Sequence, residues 1–179
     1  MTERLLAVDP GSTKVGVCIL DDKELVYCNR IETHSDKGSF TDKLNDTLEK
    51  LHTVFDGLID HFEPTRICWE LIPAIGNMGH KDFIVSTGAM LKCMAFRYML
   101  DWQGIAAVAA KNAIVGNPKA TKIEVRTKVL ELYPTLREDF EVKLGEYDAY
   151  DSVIIGLACQ QKGNWATPLK TPFNGRPSS

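Results

Sequence analysis

The chain has 179 residues, 44% hydrophobic and 25% charged, with a formal net charge of −3, a composition that fits one ordinary globular domain. No apolar run approaches the roughly 20 residues of a membrane-spanning helix, so no membrane partner is expected. The five cysteines are odd in number and form no CxxC pair, which argues against a disulfide framework or a zinc site and for small buried hydrophobes in a reducing compartment.

In chain order, Leu5 to Val8 reads as a short buried strand that ends on Asp9. Pro10 and Gly11 break it, and Val15 to Leu20 returns beside it. An ionised carboxylate at the mouth of a buried strand is costly unless a cation pairs with it. Asp9 therefore either faces a metal ion or caps the turn at residues 11 and 12. Glu24 to Thr33 alternates loosely and suits a third, antiparallel strand. From Ser39 or Thr41 to Phe62, the residues Leu44, Leu48, Leu51, Phe55, Leu58, Ile59 and Phe62 form one helical stripe suited to packing on a sheet.

Arg66 to Glu70 repeats the first pattern, an apolar strand closed by an acid. Lys81 to Trp102 is expected to be helical, with Phe83, Met90, Leu91, Met94 and Tyr98 inward and Gly104 as its stop. Ile105 to Ala109 follows as a fifth strand, and Ala110 to Asn117 as a connector. Pro118 is expected to open a basic helix running to Tyr133, with Ile123, Thr127 and Leu130 inward. Leu136 to Gly145 reads as a charged linker. Glu146 to Gln161 is the last helix. Residues 1–162 form the expected domain, and 163–179, which hold three prolines, read as a flexible tail. Three meandering strands followed by alternating strands and helices predict a mixed α/β sheet covered by helices.

Charge is segregated along the chain. Residues 111–128 carry a net +4 and the remainder −7, so an acidic protein can still present a phosphate-binding face. In the last helix Asp148 and Asp151 are three apart and share a face. If the first and fourth strands are parallel neighbours and the last helix crosses their edge, Asp9, Glu70, Asp148 and Asp151 meet. Four acids without a cation would repel one another by several kcal/mol, even at an effective dielectric near 20. An all-oxygen ligand set selects Mg2+ or Mn2+. A pair of such ions about 3.5–4 Å apart can clamp the attacking and leaving oxygens of a phosphoryl displacement. The sequence holds no Walker A, GxSxG or GxGxxG motif.

Four segments recur here in order: Asp9-Pro-Gly-Ser-x-x-x-Gly16, the strand-end Glu70, Ile114-Val-Gly-Asn-Pro-Lys119-Ala-Thr-Lys122, and Asp148-Ala-Tyr-Asp151-Ser. Over roughly residues 4 to 160 this resembles the RuvC-type Holliday junction resolvases of the RNase H-like superfamily. The resemblance implies a five-stranded mixed sheet, with three antiparallel strands and then two parallel ones, flanked by helices. It also implies a homodimer that binds four-way or branched DNA and nicks two opposed strands. Asp9, Glu70, Asp148 and Asp151 fall on the family's catalytic, metal-binding acids, with two Mg2+ per site and Mn2+ as a substitute. Lys111, Lys119, Lys122 and Arg126 are the expected DNA-binding residues. The family commonly has an aromatic just after the strand-end Glu, where this chain has Leu71-Ile72-Pro73. The alternatives are a nuclease of the same fold acting on RNA or RNA–DNA hybrids, and a junction-binding protein without catalysis. An actin-like phosphotransferase shares the DxG start but needs a duplicated domain. An N-terminus without a signal-peptide core suggests a cytoplasmic protein. Branch-migration or recombination partners are not legible in the sequence.

Overall fold

The computed structural model describes residues 3–33, 35–36, 38–71 and 78–168. Five strands form one sheet: β1 (Arg4–Asp9), β2 (Lys14–Asp21), β3 (Glu24–Glu32), β4 (Arg66–Leu71) and β5 (Asp101–Ala106). Their order across the sheet is β3-β2-β1-β4-β5. β1, β2 and β3 pair antiparallel, whereas β4 runs parallel to β1 and β5 parallel to β4. The expected mixed sheet is therefore present.

Side chains alternate across a strand, and that alternation sorts the core into two layers. Leu6, Val8, Val17, Ile19 and Ile67 meet α1 (Phe40–Phe62) and α2 (Met78–Tyr98) on one face. Leu5, Ala7, Cys18, Leu20 and Cys68 meet α6 (Tyr147–Lys162) on the other. Between β5 and α6 the chain forms α3 (Ala107–Val115), α4 (Lys122–Leu132) and the single turn α5 (Leu136–Asp139). α1 starts at Ser39, whose side chain accepts from the Asp42 amide, and stops at Glu63 in the left-handed region at φ 47°.

Several local expectations differ from the observed elements. The second helix ends at Tyr98 rather than Trp102, because Met99 turns left-handed at φ 56° and Asp101 and Trp102 join β4 as partners of Arg66 and Ile67. Gly104 is then a strand residue: the Leu71 side chain fills the space where a β-carbon would stand. The expected connector is helix α3, as the alanine-rich run Ala106-Ala107-Val108-Ala109-Ala110 favours. The basic helix begins at Thr121 rather than Pro118. Thr121 and Glu124 form a reciprocal capping box, and the buried residues of α4 are Val125 and Val129, while Ile123 is exposed. The linker contains α5.

The chain past α6 returns to the sheet. Trp102 and Ala166 exchange two backbone hydrogen bonds of 2.9 Å, and the Arg66 guanidinium lies 4.9 Å from the Trp165 ring centre. This short segment covers part of the β5 edge, where unpaired backbone groups would otherwise face solvent. Residues 169–179, the rest of the expected tail, lie outside the described residues, as do Ile72 and Pro73.

Candidate active site

Parallel strands end on the same side of a sheet, and this places the first two acids. Val8 lies opposite Trp69, so the next residues, Asp9 and Glu70, are side by side at the carboxyl ends of β1 and β4. Asp9 follows the alternation of Leu5 and Ala7, and Glu70 that of Cys68, so both face α6.

Two glycines let α6 come close. A β-carbon on Gly156 would lie 2.7 Å from Leu20 Cδ1, and one on Gly16 would lie 1.8 Å from the Asp148 carbonyl oxygen. Gly16 is itself the cross-strand partner of Asp9. The first turn of α6 therefore sits directly above the rung that carries Asp9.

Asp9, Glu70, Asp148 and Asp151 line one cavity of about 290 Å³ with Lys111, Lys122 and the apolar wall of Ala107, Ala110, Ile154 and Ile155. Burial, reinforced by Glu70, Asp151 and Asp148, holds the Asp9 carboxyl well above the usual carboxylate range. Glu70 is raised mainly by burial, against the opposing pull of its hydrogen bond with Asp9 and of Lys111 and Lys122. Burial pushes Asp151 up to about 6, despite Lys122 and Lys111.

The four predicted basic residues separate into three groups. Lys111 donates to the Ala120 carbonyl at 2.9 Å while lining the cavity. Lys122 also lines it, with Nζ 3.9 Å from Asp148 Oδ1. Lys119 is exposed, on the loop before α4 and outside the cavity. Arg126 is turned to structure: it donates to the Leu144 carbonyl at 3.2 Å and lies 5.7 Å from the Tyr147 ring centre.

Hard divalent cations suit the donor set, which is all carboxylate oxygen. The raised acids mark negative charge that a cation would relieve. Among the described residues, no three Asp, Glu, His or Cys side chains stand together as a coordination shell.

Sequence reasoning passed over Arg30, Glu146 and Tyr147. Arg30 on β3 reaches Glu146 at 3.3 Å, a contact between distant segments with no local signature. Tyr147 lies 5.7 Å from both the Lys122 ammonium and the Arg126 guanidinium.

A model of the family described as "Crossover junction endodeoxyribonuclease RuvC" matches residues 5–156. A curated protein of that description from Geotalea uraniireducens is 26% identical over 167 residues, 86% of each chain. Among solved structures, Thermus thermophilus RuvC superposes with a TM-score of 0.67 at 14% identity, covering 92% of this chain and 99% of that one. The same protein in complex with a Holliday junction substrate gives a TM-score of 0.67 at 15% identity, with the same coverage. The yeast mitochondrial Holliday junction resolvase Ydc2 gives 0.57 at 14% identity, covering 91% and 82%.

Proposed function

The chain belongs to the RuvC family of crossover junction endodeoxyribonucleases, and we propose that Asp9, Glu70, Asp148 and Asp151 are its catalytic centre, acting on four-way DNA with Mg2+ or Mn2+. One observation carries this reading: four carboxylates from three separate segments line a single cleft whose other charged residues are two lysines. Two divalent ions bound there would supply charge stabilisation for the attacking and leaving oxygens of the scissile phosphate.

The chain's own residues do the rest. The four carboxylates would hold the ions between the sheet end and α6. Lys122 is paired loosely with Asp148 and exposed on its outer side, so it can turn to a phosphate oxygen of the incoming strand. Lys111, fixed by the Ala120 carbonyl, keeps a second ammonium inside the cleft, where it offsets the carboxylates against an incoming phosphodiester. Lys119 extends the positive rim along the backbone. One subunit carries one such cleft, and symmetric resolution requires two nicks. The working unit is therefore a homodimer, with each copy cutting one of two opposed strands.

The test is a labelled four-way junction incubated with the purified protein. Paired, symmetry-related nicks are expected in Mg2+ or Mn2+, with none in EDTA and little cutting of an RNA–DNA hybrid duplex. Equal cleavage of the hybrid, or nicking that survives EDTA, would overturn the assignment.

A further inference from the structure

We infer that Arg30, through its ion pair with Glu146, is a positioning residue that seats the first turn of α6 against the sheet and so holds Asp148 and Asp151 over Asp9 and Glu70. The inference rests on the reading of those four acids as a metal site.

The geometry begins with one rung of the sheet. Arg30 is the cross-strand partner of Gly16, and Gly16 that of Asp9. Alternation turns Arg30 to the α6 face together with Cys28. From that face β3 meets α6 and the residue that caps it: Arg30 Nη2 lies 3.3 Å from Glu146 Oε1, and the Cys28 thiol donates to the Ala149 carbonyl at 3.7 Å. Between those contacts lies the Asp148 carbonyl above Gly16. Residues 146, 148 and 149 are thus fixed against β2 and β3, just where the two helix-borne acids begin.

The pair is unlike an ordinary surface bridge. Each side chain is only 16% exposed. The other Glu146 oxygen accepts from the Lys143 amide at 2.9 Å, so the carboxylate is held at both ends. Arg30 also meets the exposed Glu32 at 2.7 Å. Its Nε is buried without a hydrogen-bond partner among the described residues. An arginine enclosed at that cost is doing more than solvating an edge.

Electrostatics gives the anchor its purpose. Asp148 and Asp151 face Asp9 and Glu70 across the cleft, and like charges in a partly enclosed space push α6 outward. An attachment at the residue preceding the helix opposes that push from outside the cleft. Outer partners that orient ligands typically set metal affinity by 10–100-fold. Arg30 acts through the backbone and not through a ligand's second oxygen, so the lower end of that range applies.

The test measures Mn2+ binding to the full chain by titration calorimetry without DNA, alongside the Mn2+ dependence of junction nicking. Arg30→Ala should weaken Mn2+ binding about tenfold and raise the Mn2+ needed for half-maximal nicking to match. The rate at saturating Mn2+ and junction binding in EDTA should stay within about twofold. Arg30→Lys should recover most of the loss. Glu146→Gln removes one charge with little change in volume, and should shift Mn2+ affinity in the same direction if Arg30→Ala does not fold. A variant with a lower unfolding temperature but unchanged Mn2+ affinity would overturn the inference. Wild-type protein that binds Mn2+ but leaves junctions uncut would refute the nuclease reading and leave the calorimetry to decide Arg30. Wild-type protein that binds no Mn2+ would remove both.

Discussion

Gly16 supports Asp148 by having no side chain: a β-carbon there would lie 1.8 Å from the Asp148 carbonyl oxygen. That clash is with backbone, so no rotamer change relieves it, and Gly16→Ala must lift the start of α6. Overpacking of this kind costs about 1–3 kcal/mol, seen as an unfolding temperature lower by several degrees. Asp148 moves with the helix while Asp9 stays on β1. Nicking should therefore fall by more than tenfold at temperatures where the variant is fully folded. Thermal unfolding and single-turnover cleavage check the two effects, and near-normal cleavage would show that α6 need not sit so close.

The acids of the cleft set a pH dependence with a definite sign. Asp9, Glu70 and Asp151 are all raised, chiefly by burial. The native state therefore keeps protons that the unfolded chain releases near pH 4. Where the folded state binds more protons, stability falls as pH rises. For Asp151 the rise from 3.8 to about 6 corresponds to about 3 kcal/mol, lost between those values and absent above them. In EDTA the unfolding temperature should decline between about pH 4 and 7. Asp9→Asn should flatten that decline, stabilise the metal-free protein at pH 7, and abolish nicking while keeping junction binding. Mn2+ should stabilise the wild type far more than the variant. Calorimetric scans across pH check this, and a wild-type profile as flat as that of the variant would refute it.

Much of this architecture is local and periodic, and so it is legible in the sequence. Two apolar runs ending in Asp9 and Glu70 show the strands, and one stripe from Leu44 to Phe62 shows α1. Strand alternation then decides which face each acid takes. The differences have two sources, competing local signals and contacts from far along the chain. Gly104 resembles a helix stop, yet it lies in β5, paired with Trp69 of β4, and the Leu71 side chain takes the space a β-carbon there would need. Pro118 resembles a helix start, yet Thr121 is the N-cap of α4 and Lys122 its first residue, fixed by the Thr121–Glu124 capping box. The core then takes Val125 and Val129 from that helix, and Arg126 meets the Leu144 carbonyl. The Arg30–Glu146 pair joins segments that no motif connects.

The capping box gives a prediction of its own. Thr121 accepts from the Glu124 amide at 3.3 Å, and Glu124 accepts from the Thr121 amide at 2.7 Å. Lys122 is the first residue of the helix they fix, so the cap also sets where its ammonium lies. Thr121→Ala should cost about 1 kcal/mol, a fall of about 2–4 °C in unfolding temperature. Nicking should slow several-fold even well below that temperature, and Thr121→Ser should restore both. A variant that loses stability and keeps its full cleavage rate would separate the cap from the placement of Lys122.

Lys119 and Arg126 should part company in salt. Lys119 is exposed, so a bound phosphate can displace its counterion freely. Arg126 is occupied by the Leu144 carbonyl and the Tyr147 ring. Each phosphate contact adds about 0.9 to the slope of log K against log salt on duplex DNA. Lys119→Ala should weaken junction binding and reduce that slope by about one, with the unfolding temperature unchanged. Arg126→Ala should instead lower the unfolding temperature, because it frees the loop before α6, and leave the slope near its original value. Electrophoretic titrations of a four-way junction in EDTA at several salt concentrations measure the slopes. If the two variants exchanged these signatures, Arg126 would be the phosphate contact and Lys119 a bystander.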